Sequence, residues 1–291
     1  MIEDKGIAVR LFNFVNVTLL ILLTLVTLYP FWYVVVASFS HPVQLFAASS
    51  GLLLFPVGFS FAPYELVFGF PRLWRSYQMT LFYVVTGGSL SVFLTLLGGY
   101  VLSRRYLPGR VFFLMMIMFT MFFGGGLIPT FIVVNALGIT DTIFAMILPG
   151  AISTYNLIVM KTFLQGIPDE MEESARMDGA NDWTILWRVI APLATPVIAV
   201  ITLFVSVGIW NSYIAPTIYL RNRALFPLQV ILREILLQNS ALEMVDSADQ
   251  EAISETIKYA TIIVATIPVL CIYPFLQKYF AKGVMLGSIK E

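Results

Sequence analysis

The chain has 291 residues, of which 59% are apolar and only 12% charged, and its mean hydropathy is +0.87. That composition excludes an ordinary soluble domain and points to lipid as the solvent. Lys and Arg number 17 and Asp and Glu 17, so the total charge gives no ground for a nucleic-acid partner and only its placement is informative.

The first apolar run, 12 to 39, is longer than a signal-peptide core and lacks a small-residue cleavage site, so it reads as a retained helix. With an N-terminal tail and an external loop it makes up a first segment, 1 to 76. Five more runs follow at 77 to 100, 111 to 137, 142 to 160, 195 to 219 and 257 to 276. Each meets or approaches the roughly 20 apolar residues that a spanning helix needs. The expected fold is therefore all-α and polytopic, with six transmembrane helices, a core over 77 to 276 and a tail over 277 to 291. Gly124, Gly125, Gly126 and Pro129 interrupt the third run, and Pro149 with Gly150 the fourth, so both are predicted to bend. The glycine run reads as a kink or a close helix contact. Cys271, alone of its kind and inside an apolar run, reads as a small buried hydrophobe and excludes an internal disulfide or a thiolate metal cluster.

Orientation follows from the loops. With both ends on one face, that face carries 11 of the 17 Lys and Arg residues, which predicts cytoplasmic termini. The external side then has loops at 40 to 76 and about 220 to 256, and the apolar periodicity of Leu228 to Leu237 predicts a short helix in the second. The internal side has one long loop, 161 to 194.

That internal loop is the most informative stretch. It runs Ile167-Pro168-Asp169-Glu170-Met171-Glu172-Glu173-Ser174-Ala175-Arg176-Met177-Asp178-Gly179-Ala180-Asn181-Asp182, then Trp183 to Pro192. Pro168 suits a first helical turn, and the acidic residues that follow crowd the end where the helix dipole favours negative charge. Glu172 and Arg176 stand at i, i+4. Asp178-Gly179 signals a C-cap, and Asn181 can cap a second helix, whose Trp183, Leu186, Trp187 and Ile190 form an apolar stripe ended by Pro192. The plain alternative is an interfacial hairpin that only connects two spans.

The spacing adds to this. Permeases of binding-protein-dependent ABC importers share a cytoplasmic motif of Glu-Ala-Ala, three residues, Gly, nine residues and Ile-x-Leu-Pro. This chain resembles it with every interval kept: Glu173-Ser174-Ala175, Gly179, and Val189-Ile190-Ala191-Pro192, with small or apolar replacements at Ser174, Val189 and Ala191. Met177-Asp178-Gly179-Ala180 resembles the carbohydrate branch. Leu53-Leu54-Phe55-Pro56 with Tyr64, Trp210-Asn211, Phe226-Pro227-Leu228-Gln229-Val230 and Tyr273-Pro274-Phe275-Leu276-Gln277 extend the likeness to a maltose-type sugar permease over nearly the whole chain.

The resemblance implies a type I ABC importer permease fold in a bacterial inner membrane and a path for a sugar, an oligosaccharide or polysaccharide fragment. It implies as partners a second homologous permease, a cytoplasmic ATPase dimer and an extracytoplasmic solute-binding protein, beside the carbohydrate and membrane lipid. Glu172, Glu173, Ala175, Asp178, Gly179 and Ala180 would form the coupling helix that docks into the ATPase, and Lys282 to Lys290 would reach the same interface. No Gly-x-x-x-x-Gly-Lys-Ser/Thr stretch is present, so ATP and its magnesium would be bound by the ATPase subunits and this chain would hold no cofactor, metal or catalytic residue. For the sugar path the polar and aromatic residues within spans are candidates, namely Asn135, Tyr155, Asn156, Trp210, Asn211 and Tyr213, because hydroxyls must exchange water for protein partners. Mixed external charges leave both neutral sugars and acidic uronate oligomers open.

An ion-coupled secondary transporter should carry an ionisable group deep in a span, and none is visible. An intramembrane enzyme lacks a residue constellation, since His41 stands alone. A passive channel would have no use for an acidic docking loop.

Overall fold

The structure is a computed structural model that describes residues 7–48, 51–237 and 250–287. In chain order its helices are α1 (Ile7–Ser38), α2 (Pro42–Ala47), α3 (Ala62–Phe68), α4 (Pro71–Ser103), α5 (Arg110–Phe122), α6 (Leu127–Ala136), α7 (Phe144–Ile147), α8 (Thr154–Leu164), α9 (Glu170–Met177), α10 (Asp182–Leu193), α11 (Thr195–Trp210), α12 (Ile214–Tyr219), α13 (Leu228–Leu237) and α14 (Gln250–Gly287). There is no strand among the described residues.

Among the described residues, three helices are long and apolar enough to cross a membrane: Val9–Ser38, Pro71–Ser103 and Ile253–Cys271. Two helix pairs pass the same test only jointly, α5 with α6 bent by 113° and α10 with α11 bent by 82°. The third expected run is thus broken where its glycines stand. The fourth, 142 to 160, is not one helix: α7 ends at Ile147, Pro149 and Gly150 lie in a turn, and α8 begins at Thr154. Pro149 offers no amide hydrogen to continue a helical ladder, and Ser153 restarts it by accepting from the Asn156 amide at 3.4 Å. The fifth run divides at Asn211 to Tyr213 into α11 and α12. Leu228–Leu237 is helical as its periodicity predicts. Cys271, expected to be buried, is exposed on α14.

The chain divides into two compact units, Met1–Pro71 with Leu232–Thr266, and Arg72–Ile231 with Ile267–Glu291. In the first, Val36, Ala37, Leu45 and Leu53 form a small core with Tyr33 and Tyr259, whose rings meet edge to face at 5.7 Å. Polar anchors fix the loop on α1: the Trp32 indole donates to the Leu54 carbonyl at 3.0 Å, and the Ser38 and Tyr64 hydroxyls meet at 2.8 Å.

In the second unit the main core joins α4, α8, α10 and α11 through Leu96, Tyr100, Met160, Leu164, Ile185, Leu186, Ile190 and Ile201. Glycine lets α4 and α8 approach closely. A Cβ on Gly99 would lie 3.0 Å from the Met160 Cβ and 3.3 Å from the Lys161 backbone nitrogen, with Met160 wholly buried. Neither atom can swing aside, so small residues at this contact are a packing requirement. Gly99→Val is expected to destabilise the protein by about 1–3 kcal/mol, read as a lower midpoint of thermal unfolding in detergent. Gly124→Ala, at a position with nothing within 4 Å of the added carbon, should leave that midpoint nearly unchanged.

Candidate functional site

The acidic hairpin folds as its sequence dictates. Helix α9 starts after Asp169, carries Glu170, Glu172 and Glu173 in its first turn and Arg176 in its last, and so matches its dipole at both ends. It stops in a Schellman turn: the Gly179 amide donates to the Arg176 carbonyl and the Ala180 amide to the Ala175 carbonyl, both at 3.0 Å. Gly179 has φ +83°, where a side chain is strained. The Asn181 side chain then accepts from the Thr184 amide at 2.8 Å and starts α10.

Within α10, Leu186–Ile190 is a π-turn, and the extra residue rotates the expected apolar stripe. Ile185, Leu186 and Ile190 enter the core, whereas Trp183 stays 59% exposed. Trp187 is also largely exposed and stacks on Phe93 at 6.1 Å. Pro192 does not end the helix, which runs on to Leu193.

The residues of the motif divide between two faces. Glu173, Asp178 and Gly179 are exposed, while Ala175 and Ala180 pack partly against the main core. Glu172 is only 5% exposed and forms an ion pair with the buried Arg104, which follows directly on α4. The Tyr100 hydroxyl donates to Glu172 Oε1 at 3.2 Å, Arg176 Nη2 donates to the same oxygen at 2.9 Å, and the Arg104 guanidinium lies 4.4 Å over the Tyr100 ring. Arg176 Nη2 also reaches Asp182 Oδ1 at 2.6 Å and the Tyr106 hydroxyl at 3.2 Å. The bond to Glu172, reinforced by Asp182, raises the Arg176 guanidinium above its ordinary value. Removing one member of a buried pair such as Arg104 and Glu172 costs about 3–5 kcal/mol, because the other charge stays buried and unpaired.

A second feature forms at the break between α5 and α6. Gly126 has φ +80° and ψ −172°, a conformation essentially reserved for glycine, and nothing lies within 4 Å of a Cβ added at Gly124 or Gly126. The close-contact reading of this glycine run therefore fails; the run is an unwound segment. It lines a cavity of about 590 Å³ together with Thr130, Asn211, Ser212, Tyr213 and Tyr219. Of the candidate path residues, Asn211 and Tyr213 are brought together there. Trp210 is buried edge to face against Tyr77 at 5.8 Å, Asn156 is buried in α8, and Asn135 and Tyr155 are exposed elsewhere.

Near this cavity Asp141 adopts φ +59°, rare for a residue with a side chain. Its amide donates to the Tyr219 carbonyl at 2.8 Å, and its Oδ1 accepts from the Arg221 amide at 2.8 Å and the Asn222 amide at 2.7 Å. Those bonds pin the chain that leaves α12.

Two partners escaped the sequence reading. Arg104 entered the sequence reading only in the count of basic residues on one face, and the glycine run, rightly expected to bend its helix, was not assigned to the sugar path; three glycines interrupting an apolar stretch are nonetheless the available pointer to a site inside a membrane. The tail expected at the ATPase, Lys282 to Lys290, is described only as the backbone end of α14 and otherwise lies outside the described residues.

A family model described as "binding-protein-dependent transport system inner membrane component" matches residues 11–286. The polygalacturonan/rhamnogalacturonan transport system permease protein YtcP of Bacillus subtilis is 42% identical over 97% of this chain and 99% of its own length. Protein LplC of the same organism is 39% identical over 97% and 95%. A solved bacterial ABC transporter involved in the import of the acidic polysaccharide alginate superposes with a TM-score of 0.88 at 35% identity, covering 96% of this chain and 99% of that one.

The Asp141 latch carries a pH signature. The Asn222 and Arg221 amides hold its carboxyl below the ordinary carboxylate value. A carboxyl depressed in the folded state stabilises above its unfolded value, about 4, and loses that contribution as pH falls through the folded value. Asparagine tolerates the same backbone conformation, so Asp141→Asn isolates the charge. The wild-type advantage in unfolding midpoint over this variant should be full at pH 7, shrink below about pH 4 and vanish in stronger acid.

Proposed function

The chain belongs to the family of binding-protein-dependent transport system inner membrane components, and on that premise we propose that it is one permease of an ATP-driven sugar importer whose cargo is an acidic oligosaccharide. The observation that carries this is the acidic hairpin, held to α4 on one side and presenting Glu173, Asp178 and Gly179 on the other. A separate ATPase dimer docks on that exposed face, and the energy of its closure reaches the bundle there. Glu172, assigned to the docking face by the motif, serves the inner side instead. Ala175 and Ala180 set how closely the helix lies on its support.

Six spans with both termini cytoplasmic are part of the proposal. Three continuous helices and two bent pairs among the described residues support it, and α7 with α8 would make the remaining crossing in broken form. A second permease completes the translocation path, and an extracytoplasmic binding protein delivers the sugar. The unwound Gly124 to Gly126 segment with Thr130, Asn211 and Tyr213 forms this chain's share of the path. Backbone groups freed at a helix break, amide and hydroxyl side chains and one aromatic face suit a polyhydroxylated ligand. Likeness to permeases named for polygalacturonan/rhamnogalacturonan and to the alginate importer supports an acidic polymer fragment as cargo.

The complex reconstituted in vesicles with its second permease, ATPase and binding protein should take up uronate oligomers only when ATP is enclosed with the ATPase. Uptake driven by an ion gradient without ATP would overturn the reading. Glu173→Lys should abolish both uptake and co-purification of the ATPase. Tyr213→Ala and Asn211→Ala should each lower uptake about ten-fold, the scale of one lost hydrogen bond or stacking contact, with the ATPase still bound.

A further inference from the structure

The contacts of Glu172 reach further than the hairpin. Helix α4 has 33 residues, about 50 Å at 1.5 Å per residue. At one end it is fastened to α9 and α10 by Arg104, Tyr100, Glu172, Arg176 and Asp182. At the other it is fastened to the segment before α13. The Leu228 amide donates to Thr80 Oγ1 at 2.8 Å, the Tyr83 hydroxyl donates to the Leu225 carbonyl at 3.0 Å, and Arg75 Nε donates to the Ala224 carbonyl at 3.3 Å. Thr80, Tyr83, Tyr100 and Arg104 are all buried. Between these ends runs an unbroken helix, in contrast to α5 with α6 and α10 with α11.

The choice of groups at the inner fastening is informative. An apolar pair of the same size would hold two helices together as well as a buried ion pair does, or better. A guanidinium stacked on a ring and paired to a carboxylate, itself shared with a second guanidinium, adds a fixed direction and register. Arg104 and Glu172 are both almost wholly buried, so the charges are kept at a desolvation cost that packing alone would not require. Glu172 and Arg104 therefore do more than fill space.

We propose that Arg104 and Glu172 are positioning residues that lock the hairpin to α4, so that displacement of α9 is delivered along α4 to the segment 222 to 228 on the opposite side. The proposal rests on the reading that α9 docks the ATPase. Neither residue touches nucleotide or sugar; each acts through the rigid helix that joins the two fastenings. The coupling runs both ways, because linkage between two sites is reciprocal. A loaded binding protein acting on the outer segment therefore signals to the ATPase by the same route.

The test uses the whole reconstituted complex and reads the ratio of ATP hydrolysis with loaded binding protein to that without it. For Glu172→Gln, which keeps the shape and removes the charge, the ATPase should still co-purify while this ratio and uptake fall at least five-fold. The double variant Arg104→Met with Glu172→Leu removes both charges and restores packing. It should assemble at wild-type levels and remain unstimulated. Stimulation and uptake within two-fold of wild type in the double variant would overturn the proposal, since packing would then suffice. So would a double variant that does not assemble, which would make the role structural. Failure of the docking reading shows separately, as ATPase retained by Glu173→Lys.

Discussion

A carboxylate buried between two guanidinium groups is the constraint on which the working end of this protein depends. Glu172 turns inward from an otherwise exposed acidic helix and meets Arg104 at the end of α4. Taking those charges out of water is costly, and the cost is offset only in a narrow range of geometries. The hairpin therefore has one seat on α4. The remaining carboxylates of α9 are left free to face a partner, and the Schellman turn at Gly179 aims the second leg back into the core through Ile185, Leu186 and Ile190. Local capping, a buried ion pair and apolar packing all specify the same placement.

The helices around α4 lack its continuity. Its neighbours are broken at Gly124 to Gly126, at Pro149 with Gly150, and at Asn211 to Tyr213. Non-helical backbone at membrane depth is tolerated where it borders protein or an aqueous cavity. Two of the three breaks meet at the same cavity, beside Thr130 and Tyr219. On the proposed reading, rigid transmission and an irregular, polar-lined path fall to different helices of one unit.

Much of this was legible in the chain. The caps at Asn181 and Gly179, the helix at Leu228–Leu237 and the break at the glycine run follow from residue chemistry over a few positions. The partner of Glu172 does not. Arg104 lies 68 positions away in the chain and carries no local sign of burial, because a basic residue closing an apolar span ordinarily marks an interface. The burial of Ile185 in place of Trp183 also escaped, since a π-turn shifts the helical phase without any consistent residue signature. Among the path candidates, Asn211 and Tyr213 adjoin a break and line the cavity, whereas Asn135, Tyr155 and Asn156 were chosen by polarity within an apolar run, which does not say where a side chain faces.

The central claim is that the hairpin and the inner end of α4 move as one body. Spin labels at Trp183→Cys on the second leg of the hairpin and at Arg105→Cys, both at exposed positions, in a Cys271→Ser background of the assembled complex would report this directly as a distance distribution. The account predicts the same distribution in the nucleotide-free and ATP-trapped complexes. A displaced or broadened distribution on trapping ATP would show the hairpin moving against α4 and would contradict it.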